Sequence, residues 1–215
     1  MMILLALALA VSQPTADLPQ GFVALESAAS ADDAERLCTA DRRWCVVPPE
    51  PQDPNIYVDT GTSGPAYWSP PEGDGSTYDL IPVIAPLRAG GALLLMEARR
   101  SASYSGGGGA FKDWVVLHVA PAGEVTRVLT APKNGALTIR ACFSEEDAAK
   151  RAGACHDEYE MAGAIGLDDD GSAMPPIRLS AQARSFPRGV RRDTDSLSLP
   201  PLKAADLVWT ADPGC

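Results

Sequence analysis

Apolar residues along this chain come in short runs of strand length, some alternating with polar residues and some unbroken, and Pro or Gly closes almost every run. Such runs predict β-strands at residues 43–47, 80–84, 92–98, 112–120, 124–129, 136–143, 156–165, 177–185 and 206–210. Pro121-Ala122-Gly123 separates two of them by a three-residue connection containing Gly, a hairpin signal. Asp168-Asp169-Asp170-Gly171 reads as a turn between two others rather than as a calcium loop, since the ligand spacing of such a loop is absent. Helical period appears twice. Residues 27–38 carry Ser30 and Asp33 in a capping-box pattern before Ala34, Leu37 and Cys38. Residues 145–152 follow a capping Ser144, hold Asp147 at the third helical position and stop at Gly153. In that second helix Glu146 with Lys150, and Asp147 with Arg151, stand four apart in the favourable order. The expected fold is all-β, mainly an antiparallel sandwich, barrel or meander, with two short peripheral helices.

The first sixteen residues carry no charge and hold an apolar run at 3–11, long enough for a signal-peptide core and about half of the roughly 20 residues that a spanning helix needs. Ala8, Ala10, Ser12 and Ala16 offer cleavage positions, although no Lys or Arg precedes the run. The same run also fits an apolar element packed on the core. Export is the expectation: residues 1–16 a signal peptide, residues 17–215 a single mainly-β domain with no membrane span, periplasmic or secreted.

Five cysteines support an oxidising compartment. Proximity in sequence pairs Cys38 with Cys45 and Cys142 with Cys155, each closing a short loop, and leaves Cys215 over, able to displace either partner. No zinc spacing occurs, so no metal and no cofactor is expected. The net charge of −10 opposes nucleic acid and anionic membranes, which need a basic footprint. The basic cluster Arg184, Arg188, Arg191 and Arg192 reads as a solvated face.

Candidate chemistry is sparse. His118 shares a strand face with Trp114 and Val116 and reads as a half-buried core histidine. His156, Glu158 and Glu160 share one face of their strand while Asp157 points away, a pattern that fits a divalent-ion or acid/base face and fits equally the wet side of a sheet, which is the preferred reading. The stretch Ser101 to Gly109 lacks the Lys-Ser/Thr ending of a phosphate loop and reads as a flexible hairpin or recognition loop carrying Tyr104. Tyr67 and Trp68 fall in the Pro/Gly-rich stretch 48–75, where a loop aromatic stacks on a sugar, anchors a partner or covers the core edge. Gly-x-Ser-x-Gly is absent, and no catalytic residue is assigned.

Three segments, Ser103-Tyr104-Ser105-Gly106-Gly107-Gly108, Arg140-Ala141-Cys142-Phe143-Ser144-Glu145-Glu146-Asp147 with Arg151 to Tyr159, and Asp206-Leu207-Val208-Trp209, resemble a group of uncharacterised exported proteins of alphaproteobacteria. The resemblance implies export and no particular activity. The Ser/Gly-rich loop followed by Trp114 is also similar to periplasmic lysozyme inhibitors of the small β-barrel type, with a different length and different residues elsewhere. The expected function is a non-catalytic envelope protein binding a protein or glycan through loops on a β scaffold, with Tyr67, Trp68, Tyr104, His156, Glu158 and Glu160 as candidates. An inhibitor of a basic lytic enzyme is one version, steered by the −10 charge. The rival is a periplasmic hydrolase using Glu158, Glu160 and His156.

Overall fold

Residues 92–98 show no polar alternation because the strand that contains them is covered on both faces. The computed structural model describes residues 18–28, 35–59 and 65–187. In chain order the strands among these residues are β1 (Val23–Ala24), β2 (Glu26–Ala28), β3 (Arg36–Cys38), β4 (Cys45–Val47), β5 (Ile56–Asp59), β6 (Ala66–Trp68), β7 (Thr77–Pro86), β8 (Ala92–Tyr104), β9 (Gly107–Val119), β10 (Val125–Arg140), β11 (His156–Leu167) and β12 (Ile177–Pro187), and the one helix among them is α1 (Glu145–Lys150). They form a seven-stranded sheet, β1-β7-β8-β9-β10-β11-β12, and a five-stranded sheet, β2 to β6 in sequence order. Every pairing among the described strands is antiparallel.

Leu94, Met96, Val115 and Leu117 face the small sheet, where Val46, Ile56, Val58 and Trp68 meet them. Leu93, Leu95, Trp114 and Val116 face the other way and meet Ile165, Leu167 and Ile177 of β11 and β12, together with Phe22. The large sheet therefore curls back on itself and supplies its own second layer. The Leu167 N–H donates to the Gln20 carbonyl at 2.9 Å, which ties the end of β11 to the segment before β1. Arg88 and Asp169 join the β7–β8 and β11–β12 connections with an ion pair at 2.9 Å.

The curl needs β10 to change neighbours along its length. Its first half pairs with β9 from Val125 to Pro132, with one bulge at Val128; after a second that leaves Lys133 unpaired, Asn134 to Ile139 pair with both β9 and β11, and Arg140 with β11. At Gly163, β11 passes close to the Pro132 carbonyl, where a Cβ would stand 2.6 Å from the oxygen.

Beyond the two cores, β8 to β12 continue as a five-stranded blade joined rung by rung from Arg99 outward. A charge network marks its root. Glu97 is buried and receives Lys112 at 2.8 Å and Lys133 at 2.6 Å. The Lys133 ammonium also lies 4.3 Å from the Trp114 ring centroid. Burial alone would raise the Glu97 pKa, but the two lysine hydrogen bonds outweigh it and the carboxyl titrates below its usual range.

The all-β expectation and both disulfides, Cys38–Cys45 and Cys142–Cys155, hold. The Pro121–Gly123 hairpin forms, with Val119 opposite Val125. The second helix forms as α1: the Ser144 hydroxyl accepts from the Asp147 N–H at 3.1 Å, and Asp147 accepts in return from the Phe143 N–H at 3.1 Å. Its Glu146–Lys150 pair closes at 2.7 Å, but Arg151 turns to Asp157 instead of Asp147.

Several expectations are corrected. The helix at 27–38 is not present in its described parts: residues 26–28 and 36–38 are strands, with Glu26 opposite Cys38 and Cys38 bonded across to Cys45. Cross-strand pairing and the disulfide outweigh a short helical pattern that has no tertiary face to bury. Ser30 and Asp33, and the strand expected at 206–210, lie outside the described residues. The separate strands at 124–129 and 136–143 are the single strand β10. The stretch Ser101 to Gly109 is not a loop: strand pairing runs to Tyr104 opposite Gly107, leaving only Ser105-Gly106 as a two-residue turn.

Substituting Gly163→Ala forces β10 away from β11, so we expect a stability loss of about 1–3 kcal/mol, read as a lowered urea midpoint at unchanged m-value.

Candidate functional site

Antiparallel register decides which blade side chains share a face. Pairing places Ser101, Ala110, Ala136, Glu160 and Arg184 in one rung. The next rung inward holds Arg99, Lys112, Asn134, Ala162 and Gln182, and the next outward Ser103, Gly108, Thr138 and Glu158. His156, opposite Arg140, follows on the same face. This polar face has a floor of Ala and Gly between a wall of Ser and basic side chains on β8 and β9 and a wall of carboxylates on β11. A groove of about 340 Å³ lies along the second wall, lined by Gly135, Ala136, Glu160, Met161, Ala162, Gln182 and Arg184.

The sequence candidates His156, Glu158 and Glu160 are thus brought together on one face, as their spacing implies. His156 and Glu160 are exposed and Glu158 is half-buried. Arg99, Lys112 and Asp157 are engaged in ion pairs, whereas no ion pair joins Glu158, Glu160 or Arg184 to another described residue. Among the described residues, no group of three or more His, Cys, Asp or Glu is arranged to hold a metal ion.

On β8 and β9 the opposite face of the blade continues the surface that packs on the small sheet. Its rungs are Arg100, Phe111, Gly135, Met161 and Ala183; Ala102, Gly109, Leu137, Tyr159 and Ser185; then Tyr104, Gly107, Ile139 and Asp157. Tyr104 and Ile139 are 52% and 36% exposed and make this face apolar at its outer end. Phe111 lies across the gap left by Gly135, where a Cβ would meet its ring at 2.6 Å.

Tyr104 therefore stands apart from the His156 group, across the thickness of the sheet. Tyr67 and Trp68 are also elsewhere and are not in a loop: both lie in β6, paired with β5. Trp68 is buried in the core and packs edge-on to Tyr78 at 5.4 Å. Tyr67 points to the far side of the small sheet, 62% exposed, with its ring 6.3 Å from Tyr57. Alternation at 134–140 signals a two-faced strand, yet Gln182 and Arg184 reach the groove only through the β11–β12 register, so spacing alone did not mark them.

His118 sits on the expected face, between Leu93 and Thr126 in the neighbouring strands. Burial lowers its pKa, and the nearby Glu124 carboxylate only partly offsets this. A second hollow of about 200 Å³ lies where the sheet closes, between Gly21, Leu87, Arg88, Leu167 and Asp169.

Compared with known proteins, the chain matches no family model, and no curated protein or solved structure is significantly similar to it.

The folded state prefers neutral His118, so its stabilising contribution is present above the unfolded pKa near 6.5 and is lost as pH falls through the lower folded value. We expect unfolding free energy to fall between about pH 7 and pH 5, and His118→Gln to flatten that slope. An unchanged slope in denaturant titrations of the variant would show that His118 is not the group responsible. Glu97 adds a further loss at lower pH, since its lowered carboxyl pKa stabilises the fold only while the group is ionised.

Proposed function

We propose that this chain is an exported, non-catalytic protein of the periplasm or extracellular space that binds a basic protein partner along the polar face of the blade. The observation that carries the reading is the gathering of His156, Glu158 and Glu160 on one face, with Glu160 lining a groove and neither carboxylate ion-paired among the described residues, unlike the neighbouring charges. Carboxylates already partnered within the fold offer little to a ligand; among the described residues these two have no ion-pair partner, which leaves them for charge-assisted hydrogen bonds.

Two disulfides support an oxidising compartment. No helix among the described residues is long and apolar enough to cross a membrane. A protein partner fits this face better than a glycan, because sugar rings favour aromatic platforms and Tyr104, Phe111 and Tyr159 belong to the opposite face. The net charge of −10 steers association toward a cationic partner, and an inhibitor of a basic lytic enzyme is one form this takes. A binding role suits the open geometry, in which His156 and Glu160 are exposed and can be reached by a partner's surface.

The test compares the mature chain with its Glu158→Lys/Glu160→Lys variant in capture from envelope extract, followed by affinity measurement on the purified partner. Loss of two charge-assisted contacts predicts affinity reduced at least about tenfold, at an unchanged melting temperature. Equal affinity of variant and native chain would refute this use of the polar face.

A further inference from the structure

We propose that the apolar face of the blade is a self-association surface, on which a second copy of this chain packs sheet against sheet. This inference is independent of the polar-face reading. On β8 and β9 the face is the outward extension of the surface that the small sheet covers further in, where Met96, Ala98 and Val115 are buried by Val46, Val58 and Trp68. Past Ala98 these two strands keep the same facing and β10, β11 and β12 join them rung by rung, although further in the same side of β11 and β12, with Ile165, Leu167 and Ile177, packs in the other core. Tyr104 and Ile139 are left as large exposed apolar side chains, with Leu137, Tyr159, Phe111 and Met161 half-buried beside them.

Area, shape and charge each favour a second copy. On ordinary sheet spacings, five strands and six residues span roughly 24 Å by 20 Å, which gives about 1000 Å² between two copies, the lower end of specific interfaces. Glycines at 107, 109 and 135 keep the face low, and a low sheet face complements another at the roughly 10 Å spacing of packed sheets. Two copies related by a two-fold axis bury the same patch on each, so a single apolar face completes the interface. The charged groups on this face are already neutralised within the chain, Arg100 by Asp113 at 2.9 Å and Asp157 by Arg151. Docking a copy therefore brings no unpaired like charges together at the contact, although the two chains repel at long range through their −10 charges.

The long-range repulsion gives the dimer a distinctive salt response. Dimerisation of two acidic chains strengthens as salt screens the repulsion, opposite to the salt response of a basic partner on the polar face. The experiment is sedimentation velocity on the mature full-length chain carrying Cys215→Ser, which removes any intermolecular disulfide at that cysteine. An interface of this size predicts a monomer–dimer equilibrium in the range of about 1–100 µM, tightening from about 0.05 M to 0.5 M NaCl. Ile139→Glu and Tyr104→Glu, both at exposed positions, each weaken it at least tenfold without lowering the melting temperature, and Glu158→Lys/Glu160→Lys leaves the dimer intact. A chain that stays monomeric throughout overturns the proposal. Hydroxyl-radical footprinting then separates the remaining occupants: Tyr104 protected in the monomer means that the chain's own residues 188–215 cover the face, and Tyr104 reactive means that the face is left for a different protein. Dimers that persist unchanged in both Glu variants would equally overturn it, because the contact would then lie elsewhere.

Discussion

The central physical constraint in this molecule is the burial of β8 and β9 on both faces at once. Leu93 to Met96 and Trp114 to Leu117 have side chains pointing alternately to two sides, and all are buried. A fully buried Leu, Val or Met contributes about 1.5–3 kcal/mol, so leaving either side open would cost several such terms. Two covering layers are therefore required, and the chain builds them differently. The small sheet, made from the residues before β7, supplies one. The far end of the large sheet supplies the other by curling until β11 and β12 lie against Leu93, Leu95 and Val116. The bulge at Lys133 and the close passage at Gly163 are the local devices that permit this curl.

Where the apolar run stops, the layers stop as well, and the blade begins. Its strands still satisfy their backbone groups through long antiparallel ladders, which is why it persists as a sheet with neither face fully covered. The boundary is chemical: Glu97 and Asp113 are buried at the root and are held by Lys112, Lys133 and Arg100. Burying a carboxylate this deeply requires paired cations, and those cations in turn anchor β8, β9 and β10 together. The outcome is a rigid platform with one polar face and one apolar face.

Local chemistry was legible wherever near neighbours in sequence decide structure. The Pro121–Gly123 turn, the Ser144 cap with its reciprocal Asp147 contact and both disulfides involve residues close together in the chain, and all appear as expected. The failures involve distant partners. Residues 36–38 look helical in isolation, but β2 and β4 on either side recruit them into a sheet. Tyr67 and Trp68 sit among prolines and glycines that read as loop, yet β5 pairs with them and draws Trp68 into the core. Ser101 to Gly109 has the composition of a flexible segment; pairing of β8 with β9, and of β9 with β10, makes most of it strand, because small side chains do not prevent a ladder from forming.

The sequence by itself determined the strand-rich composition, the two local disulfides, the capped helix and the grouping of His156, Glu158 and Glu160 on one side of a strand, since each follows from short-range geometry and a period of two. Tertiary structure alone decided what those groups face. That His156 and the two glutamates share a face on which Glu160 and Arg184 line a groove, while Tyr104 stands on the opposite surface among Ile139 and Tyr159, depends on the register of five strands and on the bulges in β10. A one-residue slip in any ladder would exchange the two faces, and register is set by the total burial of side chains far apart in sequence, a quantity no local pattern contains.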